Sequence, residues 1–431
     1  TQNPSTSKSG GKWLRFVTAA SLFDGHDAAI NIMRRILQSS GAEVIHLAHN
    51  RSVQEIVDAA VQEDVDAIAI SSYQGGHIEY FKYLVDRLRE LDAAHIKIFG
   101  GGGGVIIPAE IEELHAYGVS RIYSPNDGQT IGLQGMIDDM LRRCHDGDGR
   151  PTAPNPAELN TGDRITLTRT ITGIENGDYC DEELAIFKDK ADSVKATPIL
   201  GITGTGGAGK SSSTDEIIRR FRQDSADSLT IAVLAIDPTR KKTGGALLGD
   251  RIRMNAIGHS NIFMRSLATR DATVEIPERL SEIIAAIKLS GFDLIIVETP
   301  GIGQGDAGIV PFVDTSLYVM TPEFGAASQL EKIDMLDYAD IFAINKFDRK
   351  GSEDALRDVC KQVQRNREAF DRMPDKMPVF GTIASKFNDD GITALYQALV
   401  PLLQDKGLLD YAQSIKPLDT KKSTQTTLII P

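Results

Sequence analysis

Cysteine is scarce in this chain of 431 residues. The three that occur, Cys144, Cys180 and Cys360, are scattered and odd in number. That excludes a disulfide framework. With no CxxC and no close Cys/His spacing, it also excludes an ordinary structural zinc site. Such usage fits a reducing compartment, so a cytoplasmic protein is expected. Basic residues are outnumbered: 47 Lys and Arg against 60 Asp and Glu give a formal net charge of −13. A polyanion without a long basic stripe disfavours nucleic acid as a partner, and none is expected. No apolar run approaches the roughly 18–20 residues that span a bilayer, so no membrane partner is expected either. Residues 1–12, TQNPSTSKSGGK, lack the apolar core of a signal peptide and read as a flexible tail. There is no internal repeat.

What is present is an alternation of short apolar runs and amphipathic stretches. From 13 to 145, WLRFVTAA, EVIHLA, AIAISS, IKIFGG and RIYS read as strands, with helical patterns such as EYFKYLVDRLREL between them. Five βα units predict a parallel, flavodoxin-like (Rossmann-like) α/β domain whose ligand sits at the carboxyl ends of its strands. Residues 146–195 begin rich in Pro, Gly and Asp and read as a linker, with one short helix at CDEELAIFKDKAD. A second α/β domain is expected over 196–412, with strands at PILGITG, LTIAVLAID, IFMRSLA, LIIVETP, TSLYVMTP, IFAINK and MPVFGTIA. Residues 413–431 read as a C-terminal linker or tail.

The second domain opens with Gly204-Thr-Gly-Gly-Ala-Gly209-Lys210-Ser211, a complete GxxxxGK[ST] between a strand and a helix. This predicts a P-loop NTPase with a mostly parallel sheet. The N–H groups of Gly206, Gly207, Ala208, Gly209, Lys210, Ser211 and Ser212 form the expected phosphate cradle. The Lys210 ammonium should reach the β/γ oxygens as a catalytic charge, and the Ser211 hydroxyl should meet Mg²⁺. Asn345-Lys346-Phe347-Asp348 ends another strand and matches NKxD. An Asp carboxylate there can accept from both N1–H and the 2-amino group of guanine, a donor pair that adenine lacks. Ser385, in Ala384-Ser385-Lys386, would support the base. Glu298-Thr299-Pro-Gly301 stands where GTPases carry DxxG, which makes Glu298 a catalytic and magnesium candidate and Thr299 a magnesium candidate. Asp237 and Asp250 are further hard-oxygen candidates for Mg²⁺. Arg253 could contact the phosphates or be a surface charge.

In the first domain, Asp24, His26 and Asp27 follow the first strand. A helix N-terminus accounts for the aspartates. A metal ligand with an orienting carboxylate accounts for the histidine as well.

Taken in order, the motifs of 196–412, with IDPTRKKTGGALLGDRIRM among them, resemble the metallochaperone GTPases that serve cobalamin-dependent acyl-CoA mutases. Asp24-Gly-His26, Ser71-Ser72-Tyr73 and Gly100–Gly104 resemble the D-x-H-x-x-G, S-x-L and G-G of the adenosylcobalamin-binding domain. Ala29 departs from the motif glycine, and Tyr73 from the leucine. The resemblance implies that His26 is the lower axial ligand of cobalt and Asp24 its orienting partner. It also implies that Ser71, Ser72, Gly101 and Gly102 make room for the cofactor's nucleotide tail. The order of the two domains resembles the family of fused acyl-CoA mutases acting on isobutyryl-CoA, in which a (β/α)₈ barrel of roughly 250 residues follows. The implied cofactors are adenosylcobalamin, Mg²⁺ and GTP/GDP. The implied partners are the mutase barrel, fused or separate, a cobalamin adenosyltransferase as donor, and a second copy in a homodimer. In the complete enzyme, GTP hydrolysis would gate cofactor loading for the isobutyryl-CoA to n-butyryl-CoA rearrangement. The alternatives are a stand-alone cobalamin-loading GTPase chaperone or a subunit acting with a separate barrel. A corrinoid methyl carrier would have no use for the GTPase, and a P-loop kinase would not need NKFD or ETPG.

Overall fold

The computed structural model describes residues 13–424, apart from 147–148, 156–157, 272, 302–305 and 325–329. The expected tails at 1–12 and 425–431 lie outside the described residues. By its internal contacts the chain forms two compact units. One comprises residues 1–186, 237–252 and 266–274; the other comprises 187–236, 253–265 and 275–431. Among the described residues no helix is long and apolar enough to cross a membrane.

The first unit alternates β1 (Arg15–Ala20), α1 (Asp27–Ser39), β2 (Glu43–His46), α2 (Val53–Gln62), β3 (Ala67–Ser71), α3 (His77–Glu90), β4 (Lys97–Gly101), α4 (Pro108–Tyr117), β5 (Arg121–Tyr123) and α5 (Pro125–His145). Its strands are short aliphatic runs, and β1 and β3 are buried at every position. Such runs need helices on both faces, which βαβ crossovers supply. Helix starts are written locally: Ser52 and Glu55 form a capping box at α2. The strand order is β5-β4-β3-β1-β2, the flavodoxin-like order, with a sixth strand beyond β2. That strand, β8 (Ala246–Leu248), pairs in parallel with β2, Glu43 opposite Ala246. It was not expected from the sequence, because three residues flanked by glycines carry no periodicity. It becomes a strand only by meeting β2.

At the N-terminal ends of β1 and β2 the first unit gathers three arginines and three glutamates, of which Arg15, Arg251, Glu43 and Glu63 are buried. Arg15 lies 2.7 Å from Glu43, 3.0 Å from Glu175 and 3.6 Å from Glu63. Arg270 joins Glu43 at 2.7 Å, and Arg251 joins Glu63 at 3.2 Å. Glu63 also accepts from the Ser266 backbone N–H (3.0 Å) and hydroxyl (2.9 Å). Burial alone would raise the Glu43 carboxyl. Arg270 and Arg15 outweigh it and hold the group at about 2.

Glu175 belongs to α6 (Arg164–Asn176), which is followed by α7 (Asp181–Ser193). Two helices thus occupy the stretch that reads as a linker with one. RITLTRTIT is rich in β-branched residues and so a poor helix former by propensity. Burial of Leu167, Ile171 and Ile174 overrides that, and Asp163 caps the start by accepting from the Thr166 N–H.

The second unit is built on a sheet of order β13-β12-β11-β6-β10-β7-β9. Its strands are β6 (Ile199–Gly204), β7 (Ile231–Asp237), β9 (Ile262–Ala268), β10 (Leu294–Glu298), β11 (Thr315–Met320), β12 (Ile341–Asn345) and β13 (Val379–Thr382). Its helices include α8 (Lys210–Asp224), α9 (Leu280–Leu289), α10 (Ser352–Asn366) and α11 (Asp390–Gln404). Leu200, Ile202, Phe221, Ile296, Leu317 and Leu395 meet in its core, each such side chain contributing about 1.5–3 kcal/mol by burial. β6 lies between β11 and β10, with Ile202 opposite Glu298. The strand that leads into the phosphate motif therefore sits beside the strand that ends in its acid. Residues 421–423, within the expected tail, pack on β13: the Gly381 N–H donates to the Lys421 carbonyl (2.9 Å), and the Ser423 N–H to the Gly381 carbonyl (2.8 Å).

Candidate cofactor and nucleotide sites

In the order β3-β1-β2 the chain switches direction at β1, and the crevice beyond the carboxyl ends of β1 and β3 is where such sheets bind ligands. Both expected motifs land there. Asp24 follows β1 and is fully buried. Its Oδ1 accepts from the His26 backbone N–H (2.9 Å) and from His26 Nδ1 (2.8 Å), and its Oδ2 accepts from the Tyr73 N–H (2.6 Å). Burial alone would raise the Asp24 carboxyl, but these bonds outweigh it and hold the group below its ordinary value. The imidazole itself is 67 % exposed. With Nδ1 committed to a carboxylate, Nε2 is the nitrogen presented outward, the arrangement of a metal-binding histidine with a fixed tautomer. The Tyr73 ring stands 5.5 Å from the imidazole, centroid to centroid.

Beside this pair a cavity of about 300 Å³ runs under α1, walled by Met33, Phe99, Tyr123, Met136 and Met140. Ala29, Gly101 and Gly102 border it as well. A side chain at Gly102 would put its Cβ 1.9 Å from the Ser72 carbonyl oxygen, so the close approach of the loops requires glycine. Ser71 also borders the cavity, and its hydroxyl is buried without a hydrogen-bond partner. An apolar slot holding one unpaired hydroxyl, next to an outward imidazole nitrogen, fits the tail and the metal of a cobalamin. Ser72 does not border the cavity; its hydroxyl accepts from Ser21 (2.9 Å).

In the second unit the loop between β6 and α8 folds around its own lysine. Lys210 Nζ donates to the carbonyls of Gly204 (3.0 Å) and Thr205 (3.3 Å). Gly301, at φ +67°, closes over it: a Cβ there would lie 2.1 Å from Nζ. Gly206 and Gly207 are exposed, Ala208 is buried, and Ser212 is partly buried on the first turn of α8. The buried Glu298 carboxylate accepts from the Ser211 hydroxyl (2.7 Å) and the Thr214 hydroxyl (2.8 Å). Hydroxyl and carboxylate oxygens are the hard donors that suit Mg²⁺. Thr299, expected near the metal, donates its hydroxyl to Thr203 (2.8 Å), which leaves its oxygen lone pairs available.

The guanine motif divides into structural and free parts. Asn345 Nδ2 donates to the Ala208 carbonyl (2.7 Å), and Oδ1 accepts from the Ala384 N–H (3.0 Å). Lys346, at φ +59°, donates Nζ to the Gly207 carbonyl (2.7 Å). Phe347 is buried against Gly381. Asp348 and Ser385 are exposed. Asn345 and Lys346 thus tie the base-reading loop to the phosphate loop, and the Asp348 carboxylate is presented to solvent.

Asp237 closes β7, two residues beyond Ala235, which pairs with Glu298. Asp237 and Asp250 belong by their contacts to the first unit, where Asp237 accepts from the Gly249 N–H (3.1 Å). Arg253 is exposed at the end of a short 3₁₀ turn. The backbone of Tyr73 and the hydroxyl of Thr214 were not anticipated. Tyr73 carries no sequence signal, since any residue but proline supplies an N–H. Thr214 carries a faint one: it sits three residues after Ser211, on the same helix face.

Residues 14–143 match the B12 binding domain, and residues 167–413 match the methylmalonyl-CoA mutase-associated GTPase MeaB. The chain is 65 % identical over 421 residues to a fused isobutyryl-CoA mutase of Cupriavidus metallidurans, covering 97 % of this chain and 38 % of that protein. It is 57 % identical over 422 residues to a fused isobutyryl-CoA mutase of Nocardia farcinica, covering 97 % of this chain and 39 % of that one. The chain therefore spans about two fifths of the length of these relatives. With the phosphate loop, the ETPG acid and NKFD all placed in one unit, the chain belongs to the MeaB family of mutase-associated GTPases, and it carries a B12-binding domain ahead of that GTPase.

Proposed function

We propose that this chain is the cobalamin-binding and GTPase-chaperone portion of an adenosylcobalamin-dependent acyl-CoA mutase whose complete form interconverts isobutyryl-CoA and n-butyryl-CoA. The observation that carries this reading is the Asp24–His26 pair beside an apolar slot, in one chain with a complete guanine-nucleotide motif set. His26 Nε2 would ligate cobalt, with Asp24 holding the tautomer, and the slot would take the displaced nucleotide tail, with Ser71 as its polar contact. When bound, the cofactor supplies the rearrangement chemistry, and the protein positions it. In the second unit the Gly206–Ser212 backbone and Lys210 would hold the phosphates, Ser211 with Glu298 would hold Mg²⁺, and Asp348 with Ser385 would read guanine. Hydrolysis of GTP to GDP and phosphate would gate cofactor loading. The proposed partners are the mutase barrel, a cobalamin adenosyltransferase and a second copy of the chain.

The test is spectroscopic. Adenosylcobalamin bound to the full chain should show the base-off, histidine-ligated absorption spectrum, and His26→Ala should lose it while retaining GTP binding. An unchanged spectrum in His26→Ala overturns the cobalamin assignment. Tighter binding of ATP than of GTP by the unaltered chain overturns the nucleotide assignment.

A further inference from the structure

The ETPG acid departs from the DxxG of other GTPases by one methylene. A longer carboxylate has an extra rotatable bond, so it can reach further and be placed less precisely. The structure supplies what that extra freedom requires. Glu298 is buried at the end of β10, and its two oxygens are taken by two hydroxyls from one face of α8: Oε1 by Ser211 at 2.7 Å and Oε2 by Thr214 at 2.8 Å. Thr214 is fully buried. Its hydroxyl also lies 3.0 Å from the Lys210 carbonyl. It has one proton to give, and an ionised carboxylate is the stronger acceptor.

We propose that Thr214 is a positioning residue for magnesium: it clamps the second oxygen of Glu298, so that the first stays on the Ser211 hydroxyl. Ser211 and Thr214 are one helical turn apart, so α8 presents both hydroxyls to the carboxylate as a rigid fork. The glutamate is then fixed at both oxygens. Its Oε1 remains the acceptor for the Ser211 proton and orients the Ser211 lone pairs toward a cation. Without Thr214 the carboxylate is free to rotate about its last bond, and the buried Oε2 must seek another donor. Thr214 thus compensates for the glutamate. An aspartate at 298 would reach less far and would have less use for the clamp.

This inference rests on the reading of the second unit as a guanine-nucleotide site, and the experiment separates the two. The measurement is the Mg²⁺ concentration that half-maximally slows release of a fluorescent GDP from the full chain, with GTP hydrolysis as a second readout. Thr214→Val should raise that concentration about tenfold, the lower end for loss of a hydrogen bond to a charged group. GDP binding without magnesium should stay unchanged, which also shows that the variant is folded. Thr214→Ser, which keeps the hydroxyl, should remain within about twofold of the unaltered chain. Glu298→Asp should have its own magnesium defect, and Thr214→Val added to it should make that defect no worse. Wild-type magnesium dependence in Thr214→Val overturns the proposal. So does a Thr214→Ser variant as defective as Thr214→Val, or full additivity with Glu298→Asp. Failure of the unaltered chain to bind guanine nucleotide at all overturns the functional reading, and this proposal with it.

Discussion

The slot under α1 has apolar walls and an unpaired hydroxyl, whereas the nucleotide site has Lys210, Ser211, Asn345 and Lys346 already bonded within the protein. The first region has its volume before any ligand arrives. A ligand there gains by covering apolar surface, about 25 cal/mol per Å², and by giving Ser71 a partner. In the second region a nucleotide must take the place of internal acceptors, beginning with the two carbonyls that hold Lys210. What it gains is the difference between two sets of hydrogen bonds, and such differences are small and easily tipped. The comparison teaches where each region is vulnerable. The slot should respond to changes of size and of metal ligand, and the phosphate loop to changes of charge.

The largest expected effect follows from removing a charge. Lys210→Ala should lower the kcat for GTP hydrolysis by about 10²–10³-fold, the usual loss when a group facing developing negative charge is deleted. The histidine-ligated cobalamin spectrum should be unaffected. A variant that hydrolyses GTP at the normal rate would show that the lysine acts only on loop carbonyls.

Lys210 and its glycines are also where the sequence was most legible. A P-loop concentrates its chemistry in eight consecutive residues, so spacing alone identifies it. Asp24 and His26, two residues apart, were legible only as a pair that fits either a helix N-terminus or a metal ligand, and the resemblance to D-x-H-x-x-G favoured the second. What could not be read depends on distant partners. The run ALL at 246–248 is a strand only because β2 lies beside it. Thr214 matters through Glu298, 84 residues away. Ser72 reads like Ser71 but turns to Ser21, because successive residues leaving a strand point opposite ways. The aliphatic strands were legible for the opposite reason: burial on both faces needs unbroken apolar runs, whatever their neighbours.

The intermediate effect belongs to the slot. Asp24→Asn keeps the shape but replaces a charged acceptor, and it should weaken cobalamin binding by about 10- to 100-fold, as for other partners of metal-bound histidines. GTP turnover should be unchanged. Equal affinity in a cobalamin titration would show that the Tyr73 and His26 backbone N–H groups, rather than ligand tuning, are what Asp24 serves.

The smallest effect concerns acid. The Glu43 carboxyl sits at about 2 in the folded chain against an ordinary 4.5. A depressed carboxyl contributes stability that is present above its ordinary value and lost as the pH falls through the folded one. The first unit should therefore lose stability progressively through that window from this group. Trp13, the single tryptophan, lies 5.8 Å from Arg270 and reports this unit. Thermal melting followed by its fluorescence from about pH 5 to about pH 3 should show the slope, and Glu43→Gln should flatten it. An equal slope in the variant would place the acid sensitivity elsewhere.

The interleaving of the two units in the sequence governs the order in which the protein can be made. During synthesis the first five strands emerge by residue 123, yet β2 still has an open edge until residues 246–248 arrive. Glu63 waits for Arg251, and Glu43 for Arg270. A ribosome adding about 5–20 residues per second leaves that edge open, and those two carboxylates with Arg15 alone, for many seconds. The first unit thus begins to be made before the second but is finished only after part of the second has emerged. A gene cut between the two family matches would yield a product that lacks its outer strand and two of the three arginines of this cluster.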